Sequence, residues 1–191
     1  MELLAIFIAA ILINNFVLHY FLGICPFLGV SKKLDSALSM GLAVTFVMTI
    51  TSVVSWMINH WILIPYGLDY LQIVSFILVI AALVQLVEMF IRKISPPLYQ
   101  ALGIYLPLIT TNCSIMGLAL LAALKNYNFI EAVIFGLGSG LGFTLAIILM
   151  AGIREQLDLA DIPQPLRGAG IALIVAGIMA LGFLGFSGMI K

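Results

Sequence analysis

Gly23-Ile24-Cys25-Pro26-Phe27-Leu28-Gly29 is set inside a long apolar run, and its pattern returns mid-chain as Asn112-Cys113-Ser114-Ile115-Met116-Gly117. Both stretches read Cys-x-x-x-Gly, and they hold the only two cysteines among 191 residues. The runs around them decide the fold. The chain is 64% hydrophobic and 8% charged, with a mean hydropathy of +1.26, which ordinary soluble domains do not approach. A hydrocarbon core about 30 Å thick takes roughly 20 apolar residues per helix. Runs of that length lie near 3–24, 37–58, 71–91, 102–124, 129–151 and 169–190, predicting six transmembrane helices in an all-α integral membrane protein. The runs are continuous rather than alternating, which excludes an outer-membrane barrel. The whole chain, 1–191, reads as one membrane domain.

Charge orients the spans. Lys32, Lys33, Arg92, Lys93, Arg154 and Arg167 fall in the loops on one side, while only Lys125 and Lys191 fall on the other. The positive-inside rule makes the first side cytoplasmic and places both termini outside. The first run follows Met1-Glu2 without a basic stretch and ends without a small-residue cleavage pattern, so it is expected to be a retained helix. No hydrophilic segment is long enough for a soluble catalytic domain. Phosphate loops, dinucleotide fingerprints and nucleophile triads are absent from the sequence, and nothing points to nucleic acid.

The run that begins helix 1 extends to about Val30, longer than one straight span requires. Pro26 removes a backbone donor and disfavours helix at Cys25, and Gly23 and Gly29 loosen the chain on either side, which predicts a break there. Irregular backbone inside a bilayer is tolerated only under protein or beside a polar cavity, so the segment should be buried. Three further matches tie the two halves of the chain together. Cys25 and Cys113 are 88 residues apart, Ala37-x-x-x-Gly41 and Ala132-x-x-x-Gly136 are 95 apart, and Ile64-Pro65-x-x-Leu68 and Ile162-Pro163-x-x-Leu166 are 98 apart. With three spans in each half, about 1–95 and 96–191, the repeats have inverted topology, and the first helix of each is expected to be broken near its cysteine. In helix 5, Gly136 and Gly140 fall near one face and Gly138 and Gly142 near the opposite one, which allows close approach on two sides.

Three roles are open to the cysteines: small buried hydrophobes, a disulfide, or half of a metal site. Two thiolates complete neither a tetrahedral zinc site nor the shell of a [2Fe-2S] cluster, so the last role requires two ligands from a second chain.

Gly23-Ile-Cys-Pro-Phe-Leu-Gly-Val-Ser-Lys-Lys33, Leu106-Pro-Leu-Ile-Thr-Thr-Asn-Cys-Ser-Ile-Met-Gly117 and Ile162-Pro-Gln-Pro-Leu-Arg-Gly168 together resemble the A subunits of the Rnf electron-transport complex. The resemblance covers essentially the whole chain. A sister family, the E subunits of the sodium-pumping NADH:quinone reductase, shares the cysteine and Ser-Lys-Lys features. The resemblance implies a membrane component of a redox-driven sodium- or proton-translocating ferredoxin:NAD+ oxidoreductase in a prokaryotic cytoplasmic (inner) membrane, not catalytic alone. It also implies that Cys25 and Cys113 supply half the ligands of an intramembrane [2Fe-2S] cluster. The other half would come from a homologous E-type subunit of opposite topology. Gly23, Pro26, Gly29, Thr111, Asn112 and Gly117 would surround that cluster.

Glu88 is an intramembrane carboxylate and a candidate for ion or proton handling, although Arg92 lies one turn away and offers a structural pairing. Asn14 and Asn15 precede the first cysteine as Thr110, Thr111 and Asn112 precede the second, and suit broken backbone, cluster sulfurs or interhelical hydrogen bonds alike. His19 and His60 lack metal-ligand spacing. Trp56, Trp61 and Tyr66 read as an interfacial belt. Arg154, Glu155, Asp158, Asp161 and Arg167 read as a solvated mixed-charge loop. Two rival readings are a small inverted-repeat secondary transporter and a scaffold that only anchors redox partners.

Overall fold

A computed structural model describes residues 2–67, 69–94, 106–160, 163 and 167–188. Among these residues there is no strand. The helices are α1 (Glu2–Ile8, continued by a π turn, Ala9–Ile13), α2 (Ile24–Val30), α3 (Leu34–Ile58, continued by a π turn, Asn59–Leu63), α4 (Ile64–Tyr66), α5 (Gln72–Ile94), α6 (Leu106–Thr110), α7 (Cys113–Leu124), α8 (Phe129–Leu157) and α9 (Ala169–Leu184). Four segments are long and apolar enough to cross a membrane: Leu34–Tyr66, Gln72–Met89, Pro107–Leu124 and Phe129–Leu157. Leu3–Ile13 and Ala169–Leu184 are shorter apolar helices. Residues 95–105, the Leu68, Ile162 and Leu166 positions of the third repeat match and the side chain of Arg92 lie outside the described residues, and the Glu88–Arg92 pairing with them.

The centre of the bundle is the antiparallel pair α3 and α8. Small residues on α8 bring the two backbones together: a Cβ on Gly136 would stand 2.8 Å from Ser52 Cβ, and one on Gly140 would stand 2.7 Å from Thr45 Cα. The relation is reciprocal, because a Cβ on Gly41 would stand 2.6 Å from Thr144 Cγ2. The opposite face of α8 receives α1. Gly138 lies against Phe7 and Ala10, and Gly142 against Ala10 and Ile11, so α1 runs parallel to α8. The two-sided glycine pattern thus seats one helix on each face. In lipid, where apolar burial drives little association, such close packing carries the contact.

Phe16, Phe27, Met40, Met48, Ile115, Leu118, Phe143, Ile147 and Met150 fill the interior between these helices. The outer helices expose large apolar side chains, Ile73, Val74, Ile77 and Leu78 on α5 and Leu173, Ile174, Ile178 and Leu181 on α9. Such faces suit lipid. Leu34–Tyr66 spans 33 residues, more than the roughly 20 a bilayer core requires. Its far end carries exposed Trp61 and Tyr66, as an interfacial belt would. Trp56 is drawn inward, donating from Nε1 to Tyr127 O at 2.8 Å and stacking on His60 with ring centroids 5.0 Å apart.

Two features differ from the sequence reading. The break in the first helix is not at Pro26. Helix ends at Ile13 and resumes at Ile24, so Cys25 and Pro26 sit in the first turn of α2, where a missing proline N–H costs nothing because those donors have no intrahelical acceptor. Gly29 lies inside α2 and loosens nothing. The helical part of the mixed-charge segment also differs: α8 continues to Leu157, so Arg154 and Glu155 belong to a helix and not to a solvated loop.

Candidate functional site

Each cysteine opens a short helix directly after an interruption. In the first half the interruption runs from Asn14 to Gly23, and Asn15 organises it. This buried amide donates from Nδ2 to Ile11 O at 3.1 Å and Gly142 O at 2.8 Å, while its Oδ1 accepts from the N–H groups of Val17 at 3.1 Å and Leu18 at 3.4 Å. Its amide serves the backbone on both sides of the gap, at Ile11 and at Val17 and Leu18, and ties the break to α8 at Gly142, as an intramembrane break demands. In the second half the interruption is only Thr111–Asn112. There Asn112 Oδ1 caps α7, accepting from Ser114 N–H at 3.0 Å and Ser114 Oγ at 2.9 Å.

The two interruptions meet. Gly23 N–H donates to Cys113 Sγ at 2.9 Å, joining residues 90 apart in sequence. Gly23 is obligatory here for two reasons. Its φ is +79°, a region disfavoured for residues with a Cβ, and a Cβ would stand 2.0 Å from Ser114 Oγ. Gly117 serves the same contact, since a Cβ there would stand 2.5 Å from Leu22 Cδ1. It packs the first interruption onto α7.

The cysteines themselves are free and exposed. Neither is buried and neither is in a disulfide; of the segment expected to be buried, Gly23, Pro26 and Phe27 are buried, while Cys25 and Gly29 are exposed. The breaks pack closely on Phe16, Leu22, Ser114 and Phe143. Thr111 and Gly29 are exposed alongside the cysteines, and Thr111 Oγ1 donates to Pro107 O at 2.8 Å. Among the described residues no group of three or more His, Cys, Asp or Glu side chains gathers around a common point. Asn112 Nδ2 is buried without a hydrogen-bond partner. Glu88 is half-buried on α5.

A pair of residues missed by the sequence reading fixes α2 from its other end. Arg154 Nη1 donates to Leu28 O at 2.7 Å and to Ser31 Oγ at 2.8 Å, placing a cation on the last carbonyls of the helix that carries Cys25. Glu155 Oε1 accepts from Leu34 N–H at 3.1 Å at the start of α3. Together they clamp the turn between α2 and α3.

An all-helical, apolar chain with helices long enough to cross a bilayer, two of its breaks meeting inside the bundle, is an integral membrane protein. The family described as "Rnf-Nqr subunit, membrane protein" matches residues 3–190. The chain belongs to that family. It is 60% identical to the A subunit of the Na(+)-translocating ferredoxin:NAD(+) oxidoreductase complex of Acetobacterium woodii over 99% of this chain and 98% of that protein. It is 56% identical to the A subunit of the ion-translocating oxidoreductase complex of Serratia proteamaculans, and 55% identical to that of Shigella flexneri, each over 100% of this chain and 98% of the relative.

Proposed function

We propose that this chain is a membrane component of a redox-driven ion-translocating ferredoxin:NAD+ oxidoreductase complex, and that Cys25 and Cys113 provide half the shell of a [2Fe-2S] cluster. The observation that carries the reading is the Gly23 N–H on Cys113 Sγ, which brings both cysteine-bearing interruptions to one place. The family membership and the names of the relatives support the complex; the two exposed thiols support a shell completed elsewhere. When bound, such a cluster supplies one-electron chemistry. The chain's own residues bind and orient. The two thiolates are the ligands, Gly23 N–H stabilises charge on one sulfur, and Asn112 Nδ2 is a second donor near it. Phe16, Phe27 and Phe143 keep water from the inner side.

The remaining two ligands come, on this reading, from a homologous membrane subunit of opposite topology. The inverted repeat that such pairing mirrors is supported inside this chain by Gly41 and Thr45 facing Gly140 and Thr144 reciprocally. The register between the halves at that point is 99 residues, not the 95 of the Ala-x-x-x-Gly match. Six spans follow if α1 with α2, and α6 with α7, each cross as an interrupted helix. Both termini then lie outside the cytoplasmic membrane.

The test is anaerobic purification of the complex carrying Cys25→Ser or Cys113→Ser, with electron paramagnetic resonance and iron content per complex. Either substitution should abolish one iron-sulfur signal and two irons. Full iron content in both variants would sink the ligand assignment and favour the transporter or scaffold readings.

A further inference from the structure

The turn at 125–128 joins two of the segments that can cross a membrane, Pro107–Leu124 and Phe129–Leu157, which sets it at the level of lipid headgroups. A lysine there ordinarily carries its ammonium out to water. Lys125 instead lays Nζ over two rings of its own chain, 5.6 Å from the centroid of Tyr127 and 5.8 Å from that of Phe135, a residue only 2% exposed. Among the described residues no carboxylate pairs with it.

Lys125, Tyr127 and Phe135 line one side of an open cavity of about 200 Å³, and α1 with its π turn lines the other. The π turn shapes that second side. Asn14 N–H donates to Ala9 O at 2.7 Å, five residues back. At 3.6 residues per turn the fifth residue on would fall across the helix from Ala9; the wider turn keeps Asn14 on the side of Ala5, Ala9 and Ala10, and all four line the cavity. The Asn14 side chain makes no hydrogen bond among the described residues. An ammonium without a counter-ion and an amide without a partner thus stand beside a strip of methyl groups.

We infer that this cavity binds an anionic phospholipid, with Lys125 and Asn14 on the phosphate and the first carbons of an acyl chain against Ala5, Ala9 and Ala10. Each part of the site answers a part of such a molecule. A free phosphate would leave the alanine strip uncovered. A zwitterionic lipid brings its own ammonium to the phosphate, and the Tyr127 and Phe135 rings that would receive that ammonium already carry Lys125. One basic side chain near an anionic bilayer surface is worth about fivefold in occupancy.

The test uses the whole complex, purified in mild detergent and reconstituted into phosphatidylcholine vesicles. The vesicles carry a trace of phosphatidylglycerol or of phosphatidylcholine with a diazirine near the top of one acyl chain. After illumination, mass spectrometry counts lipid adducts on the peptide holding residues 2–14, with α9 as the control surface. The phosphatidylglycerol probe should label 2–14 about fivefold more than the phosphatidylcholine probe. Lys125→Gln should bring the two probes level and Lys125→Arg should keep the difference, with α9 labelled as in the parent. Equal labelling of 2–14 by the two probes in the parent would overturn the inference, as would a phosphatidylglycerol preference that survives Lys125→Gln. Loss of the preference in inorganic phosphate at constant ionic strength would overturn it by naming a free anion as the occupant. No labelling of 2–14 by either probe, with α9 labelled, would overturn it by naming protein as the cover.

Discussion

The Thr45 hydroxyl on α3 lies 2.9 Å from the Thr144 hydroxyl on α8, and each is also within bonding distance of the carbonyl four residues before it, Gly41 O at 2.8 Å and Gly140 O at 2.9 Å. Two hydroxyl protons serve three contacts. Each helix therefore offers the other the same Gly-x-x-x-Thr surface, with the glycine of one under the threonine of the other.

The glycines on this contact are not equivalent under substitution. A methyl at Gly140 would meet the Thr45 backbone, whereas one at Gly41 would meet the Thr144 side chain. Backbone cannot rotate away. Gly140→Ala should therefore destabilise by about 1–3 kcal/mol, more than Gly41→Ala. Gly177→Ala on α9, with nothing within 4 Å, should be neutral or stabilising by about 0.5–1 kcal/mol. Unfolding in detergent micelles orders the three. Gly140→Ala matching Gly177→Ala would contradict the close approach of α3 and α8.

Asn15 gives a sharper test of the first interruption. Asn15→Ala strands the N–H groups of Val17 and Leu18 in a buried setting, each worth about 1–3 kcal/mol if left unpaired, and removes the donor that ties Ile11 O and Gly142 O together. Asn15→Asp keeps the acceptor but removes the Nδ2 donor, turning an oxygen toward Ile11 O and Gly142 O. Both variants should lower the unfolding midpoint and the amount of chain recovered from membranes, and Asn15→Asp should not rescue Asn15→Ala. If Asn15→Asp behaves as the parent does, the Nδ2 contacts are not what holds the break.

How much of this the sequence carries depends on the kind of signal. Gly136, Gly138, Gly140 and Gly142 disclose two close faces because helical periodicity alone sorts them. The apolar runs disclose the long helices for the same reason. Pro26 misplaces the break because it looks like a helix breaker, while three residues into a helix a proline is harmless; the informative residue is Asn15, whose amide can serve backbone on both sides of a gap. In the sequence Gly41 matches Gly136 as well as Gly140, because Ala and Gly recur so often in such a chain. Only the threonines distinguish the two. Arg154 is lost by ending helix 5 at the first charge, and an arginine aimed at carbonyls of a distant helix leaves no local pattern. The cysteines are legible as a pair, but not as exposed, since exposure depends on which side of the breaks the rest of the chain packs.

Arg154 should set the order of the helix that carries Cys25. Its guanidinium bridges Leu28 O and Ser31 Oγ, and hydrogen bonds to a charged group contribute about 1.5–3 kcal/mol. Arg154→Gln should speed amide exchange across residues 28–34 while leaving the α3–α8 contact protected. Arg154→Lys should recover much of the protection, because both bonds leave the single nitrogen Nη1 and an ammonium nitrogen also donates more than once. Hydrogen exchange by mass spectrometry on the purified complex reads both. Unchanged protection at 28–34 in Arg154→Gln would mean that the clamp does not hold α2.

The last prediction concerns which way the bundle faces. Glu155 Oε1 on Leu34 N–H ties the end of α8 to the start of α3, so exposed Lys32 and Lys33 share an end with Arg154. Lys125 sits at the other end, its Nζ 5.6 Å from the Tyr127 ring and next to the start of α8 at Phe129. Because α1 runs parallel to α8, the chain's first helix begins at the Lys125 end. Three of the basic residues at one end against one at the other favour placing the first end in the cytoplasm. With a membrane-impermeant maleimide, Lys125→Cys should label in intact cells above the parent baseline, and Lys32→Cys only after the membrane is opened. The reverse pattern would invert the orientation without disturbing the fold, because every contact that joins α3 to α8 is indifferent to which face meets the cytoplasm.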